Sequence, residues 1–258
     1  MRRFAAAALT ALSIGLSAPA FAGTACVDEP QQVSRVERGL ALAQATADAL
    51  DASGAQVVLL ARAGQDLAKY GLRWSHLGFA YRSDGGWRVL HKLNHCGAAD
   101  SAVYRQGLAE FFLDTPHRYE AAYAVLAPEL QAKLLSLVAD NRRVTQLDEP
   151  RYSMVAYAWG LAYQQSNQWA LETLALAEAG ADDRARAQAW LQFQRYAPAP
   201  LRIDAMTRLG ARITRANIAF DDHPNEKRFA DRIETVTADS IFDWVPRAGL
   251  GSAAVTIP

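Results

Sequence analysis

Two stretches of this sequence carry residue types that could break an acyl or amide bond. In "QQSNQW", Gln164 to Trp169, Ser166 stands where an apolar, helix-period run begins. In "WSHLGFAY", Trp74 to Tyr81, His76 enters a β-favouring run, and His91 and Asn94 follow in "LHKLN". A serine hydroxyl is a weak acid, so it attacks a carbonyl only if an imidazole takes its proton as the bond forms and a third group orients that imidazole. The expected roles are Ser166 as nucleophile, His76 as base and either His91 or Asn94 as the orienting group. Backbone N–H groups at the helix start would stabilise the oxyanion. The competing reading makes Ser166 a helix N-cap, a role worth ~1 kcal/mol. Trp169 stands where a full capping box would put Glu or Gln. Asn167 and Gln168 then become polar contacts of the helix start, while Gln165 and Asn167 remain candidate ligand contacts.

Other candidates surround these two. Arg62 closes an apolar run and can meet a ligand carboxylate or pair with a carboxylate such as Asp66. Asp222 and His223, in "FDDHPNEKR", offer either cation ligands or an Asx-type turn before Pro224, or a partner that orients His76. Trp74 and Trp169, each beside a candidate, can wall a cleft or fill the core. Nothing in the sequence calls for a cofactor. His95-Cys96 is too sparse a Cys/His set for a metal site.

Elements must bring these residues together. Val33 to Leu50 places apolar residues at a helical period, and "AQVVLLARAG" reads as a buried strand. Asp84-Gly85 between two β-favouring runs predicts a hairpin. If these two residues form the turn, paired residue numbers sum to 169, so His76 lies opposite Leu93 and shares its face with His91. A one-residue bulge would bring Asn94 there instead. Downstream, "DSAVYRQGLAEFFLD", "APELQAKLLSLVADN" and "DDRARAQAWLQFQRY" read as helices, and "YEAAYAVL" as a strand. "PRYSMVAYAWGLAYQQ", "NIAF" and "RIETVTADSIFDWV" read as extended. The order lacks βαβα alternation, which predicts a single α+β domain over 23–258 with an antiparallel sheet packed against helices.

The order of these motifs resembles the circularly permuted papain-like superfamily, the NlpC-type peptidases and amidases, in which a histidine strand precedes a helix that carries the nucleophile. "WSHLGFAY" is similar to that strand. "QSNQW" is similar to the nucleophile motif, with Gln165 at its first asparagine, Ser166 at its cysteine, Asn167 at its second asparagine and Trp169 at its aromatic position. The resemblance implies a permuted papain-like core. Ser166 departs from it, because a hydroxyl forms no standing thiolate–imidazolium pair. Two outcomes stay open: an exported Ser/His-dependent amidase, peptidase or acyltransferase, or a silent descendant that binds an envelope peptide, glycan or protein. With "SHLGFAY", "HKLN" and "SNQW" together, nearly all of the chain after residue 22 also resembles an uncharacterised family of exported bacterial proteins.

The ends and composition bound the setting. Arg2-Arg3, an apolar stretch and Ala20-Phe21-Ala22 predict a secretory signal cleaved near Ala22, and hence a periplasmic or secreted protein. A lipid anchor at Cys26 lacks the leucine expected three places upstream. No later stretch approaches the ~18–20 apolar residues of a membrane span. Cleavage removes two arginines and leaves 27 acidic residues in slight excess, which argues against a nucleic-acid partner. Cys26 and Cys96, the only two cysteines, are expected either to form a disulfide or to remain free, buried thiols.

Overall fold

Residue Val57 begins a run in which successive side chains all find apolar neighbours, because both faces of the strand are covered. In the computed structural model, which describes residues 32–114 and 116–258, this run is β1 (Val57–Arg62), the centre of the main sheet. Cys26 and the signal segment lie outside the described residues, and so does the question of a Cys26–Cys96 bond. The other strands are β2 (His76–Ser83), β3 (Gly86–Asn94), β4 (Ser101–Gly107), β5 (Ala121–Val125) and β8 (Val255–Ile257), with β6 (Ala199–Arg202) and β7 (Arg232–Thr235) forming a separate two-stranded ribbon. The main sheet runs β4-β3-β2-β1-β5-β8, and each neighbouring pair is antiparallel.

The helices are α1 (Val33–Ala52), α2 (Leu108–Phe112), α3 (Pro128–Val138), α4 (Asn141–Val144), α5 (Ser166–Ala179), α6 (Arg184–Phe193), α7 (Ala205–Thr214), α8 (Asn225–Phe229) and α9 (Ala238–Arg247). Period-two alternation sends Val58, Leu60, Ala80 and Val89 to one face, where they pack with Leu42 and Leu50 of α1 and Phe111 and Phe112 of α2. Leu59, Leu77, Phe79 and Leu90 point to the other face and meet Leu130 and Leu134 of α3 and Trp169, Leu171 and Leu174 of α5. Each fully buried valine, leucine or phenylalanine among them contributes about 1.5–3 kcal/mol. No helix among the described residues is long and apolar enough to cross a membrane.

The predicted hairpin register is present: Ser83 pairs with Gly86 and Phe79 with Leu90. Gly78 lets His91 lie close, since a Cβ there would stand 2.8 Å from the His91 Cβ and from the Leu90 carbonyl oxygen. Four expectations fail. The extended reading of "PRYSMVAYAWGLAYQQ" gives way to turns, which Ala156 N–H and Gly160 N–H close by donating to the Ser153 and Tyr157 carbonyls at 2.9 Å. Residues 101–107 form strand β4, paired with β3 from Arg88↔Gly107 to Asn94↔Ser101, and the helix starts only at Leu108. The strand-like reading of "RIETVTADSIFDWV" holds for β7 alone, because Thr237 and Ser240 form a capping box that turns the chain into α9. "NIAF" is irregular and is held by Ser153, whose hydroxyl bonds both Ala219 N–H and Ala219 O at 3.0 Å. Partners remote in sequence override local propensity in β4 and "NIAF", whereas in α9 a local capping box does.

Candidate functional site

His76 and His91 come together as the hairpin requires. His76 Nε2 and His91 Nδ1 share one hydrogen bond of 2.8 Å, with the rings edge-on at 5.1 Å. Both rings contact Phe111 of α2, at 5.9 and 5.2 Å. Arg62 lies directly across from His76 on β1. Its guanidinium donates to the Phe111 carbonyl and to Asp114, rather than to Asp66, which instead caps Ala68. Burial, then the Arg62 charge, pushes His76 well below the usual imidazole range, and His91 follows to about 3 for the same reasons. Two neutral imidazoles can form such a hydrogen bond, one ring nitrogen donating and the other accepting.

Ser166 is on the other side of the sheet. Helix α5 packs on β2 and β3 through the face of Leu77, Phe79 and Leu90, whereas His76 and His91 belong to the face covered by α2. The Ser166 Oγ has Tyr152 Oη as its neighbour at 3.5 Å, and burial raises the Tyr152 pKa. Ser166 is not the cap either. Gln165 occupies that position: its Oε1 accepts from Asn167 N–H at 2.9 Å and its Nε2 donates to the Val236 carbonyl. The expected Ser166–His76 contact is therefore absent, since strand parity and helix packing assign the two groups to opposite faces. Asn94 does not orient His76; it alternates away from His91 and donates to the His95 carbonyl at 3.1 Å.

The remaining candidates are structural in their contacts. Trp74 and Trp169 are buried in the same core cluster. Asn167 is buried with its Oδ1 unpartnered among the described residues, and Gln168 donates to the carbonyls of Tyr157 and Ala158. Asp222 Oδ1 bonds His223 Nδ1 at 3.0 Å, while its Oδ2 accepts from Tyr157 N–H at 2.7 Å. That pair is buried against the Tyr157 ring and does not reach His76. Among the described residues no three His, Cys, Asp or Glu side chains converge to hold a metal ion.

A larger polar group escaped sequence reasoning. Lys92, fully buried on the Leu90 face, donates to Asp148 Oδ1 at 2.6 Å, the Glu149 carbonyl at 2.6 Å and Gln164 Oε1 at 2.8 Å. Gln164 in turn donates to Glu172 Oε2 at 2.5 Å, and Glu172 is also held by Arg184 at 2.8 Å and Gln188 at 2.8 Å. Two cations and two carboxylates thus balance in the interior. The signal was present in "VLHKLN": alternation puts Lys92 on the face of Leu90, where a charge needs partners. This network fixes the entry to α5 against β3.

The family described as an uncharacterized protein conserved in bacteria, DUF2145, matches residues 49–245. The chain belongs to this family. The matched segment contains β1 to β7 and α5, so it covers the histidine pair, the Lys92 network and the α5 entry alike. No curated protein and no solved structure matches the chain.

Proposed function

We propose that this DUF2145 member is an exported, catalytically silent protein that binds a peptide, glycan or protein of the cell envelope. The reading takes the histidine strand followed by the α5 entry as the trace of a permuted papain-like ancestor, and the N-terminal signal as its route out of the cytoplasm. One observation carries the silence: Ser166 and His76 lie on opposite faces of the central sheet and are engaged by Tyr152 and His91, respectively. A hydroxyl without a base within reach is not a nucleophile at neutral pH.

A fluorophosphonate serine probe tests this. The expected result is no labelling of the folded protein and no gain of a low-pKa thiol in Ser166→Cys, measured as the pH dependence of iodoacetamide reaction. Labelling that disappears in both Ser166→Ala and His76→Ala, with the fold retained by circular dichroism, would establish a hydrolase instead.

A further inference from the structure

A cavity of about 570 Å³ lies where α1 begins, beside the segment that leads into β5. Its wall includes Arg35, Arg38, His117, Arg118, Tyr119 and Glu120. The segment is held over the end of β1, because His117 N–H and Arg118 N–H donate to the carbonyls of Gly64 and Ala63 at 3.3 and 3.1 Å.

The side chains of this wall carry three arginines against one carboxylate, and Pro258, the last residue of the chain, also lines it. Glu120 is taken up by Arg73, which donates to its Oε2 through Nε at 3.0 Å and Nη2 at 2.7 Å, and Arg118 Nε stands 3.8 Å away from the same oxygen. The Arg38 guanidinium makes one hydrogen bond among the described residues, to the Ser34 carbonyl at 3.2 Å, and lies over the Tyr119 ring at 4.3 Å. Arg35 and Arg38 are three apart on the helix, so two like charges are neighbours. The first turn of α1 carries no acidic residue and its N-cap makes no side-chain bond, so cations stand at the positive end of the helix. Such an arrangement is mildly unfavourable for the helix and favours an anion beside it.

We propose that this cavity binds a phosphate monoester. Three guanidiniums suit a phosphate dianion, since each fork can donate two parallel hydrogen bonds to its oxygens. The volume falls within the roughly 300–1,000 Å³ of small-ligand sites and leaves room for the group that the phosphate esterifies. This inference goes beyond the function proposed above and does not rest on the silence of Ser166.

Calorimetric titration of the full mature chain with glycerol 3-phosphate tests it, with flotation on vesicles of phosphatidylcholine with and without phosphatidic acid as a second arm. Saturable binding is expected, weakened by about tenfold or more in Arg35→Gln, Arg38→Gln and Arg118→Gln, and unchanged in the charge-matched control Arg212→Gln on exposed α7. Binding of the soluble ester alone identifies a free phosphate ester, and binding to phosphatidic acid vesicles alone identifies a lipid headgroup; either supports the site. Unfolding of ligand-free protein supplies a readout independent of affinity: Arg35→Gln is expected to raise Tm while abolishing the rise that glycerol 3-phosphate produces in the wild type. No saturable binding in either arm, or an equal loss in Arg212→Gln, overturns the proposal.

Discussion

At the start of α5, two neighbouring side chains exchange the roles that their types suggest. Gln165 has extended backbone angles, φ −96° and ψ 170°, which aim its amide oxygen back at Asn167 N–H, while Ser166 is already inside the helix. Gln165 also reaches the Val236 carbonyl and so ties α5 to the chain just after β7. Its loss removes a cap and leaves a buried carbonyl without its donor. Gln165→Ala is therefore expected to cost about 1–3 kcal/mol, and Ser166→Ala less than about 1 kcal/mol, in urea unfolding at neutral pH. The reverse ranking would return Ser166 to the capping role. The sequence marked this polar cluster as a helix start, but which residue caps depends on one pair of backbone angles that composition does not encode.

Between elements, the legible part was the hairpin and the hidden part was the helix that crosses it. Asp84-Gly85 fixes the register of β2 on β3, and period two then puts His76 and His91 on one face without any tertiary knowledge. No local rule says which face a helix far downstream will cover, and so the Ser166–His76 pairing could not be read from motifs alone. The Lys92 network makes that choice visible, because a strand lysine on the α5 face bonds the residue that leads into α5. The misassigned β4 has the same origin, for its seven residues are held by a pairing with β3 that outweighs their helical pattern. Lys92→Met removes one cation from the buried network and leaves Asp148 and Glu172 facing Arg184 alone. A loss of about 3–5 kcal/mol is expected, with part recovered in Lys92→Met/Asp148→Asn because the leftover charge is gone. Equal stability of the single and double variants in denaturant unfolding would show that the carboxylate is not the source of the cost.

For the molecule as a whole, the sheet face under α1 and α2 makes stability depend on pH in a particular window. Both imidazoles are held below their unfolded value of about 6.5, by burial first and by Arg62 second. The unfolded chain therefore binds more protons than the native one between about pH 3 and 6.5. The pair's contribution is complete above the unfolded pKa and is lost as pH falls below it. Each imidazole adds a slope of up to about 1.4 kcal/mol per pH unit. The carboxylates held below their usual range, such as Glu149 beside Arg151, lose their contribution only at lower pH, as they begin to protonate near and below their unfolded values. The interval from about pH 5 to 6.5 thus reports mainly on the histidines. Tm is expected to fall steadily from pH 7 to pH 5, and the double variant His76→Gln/His91→Gln, whatever its own stability, should flatten that fall. A slope that survives in the double variant would mean that the buried pair is not what couples this fold to protons.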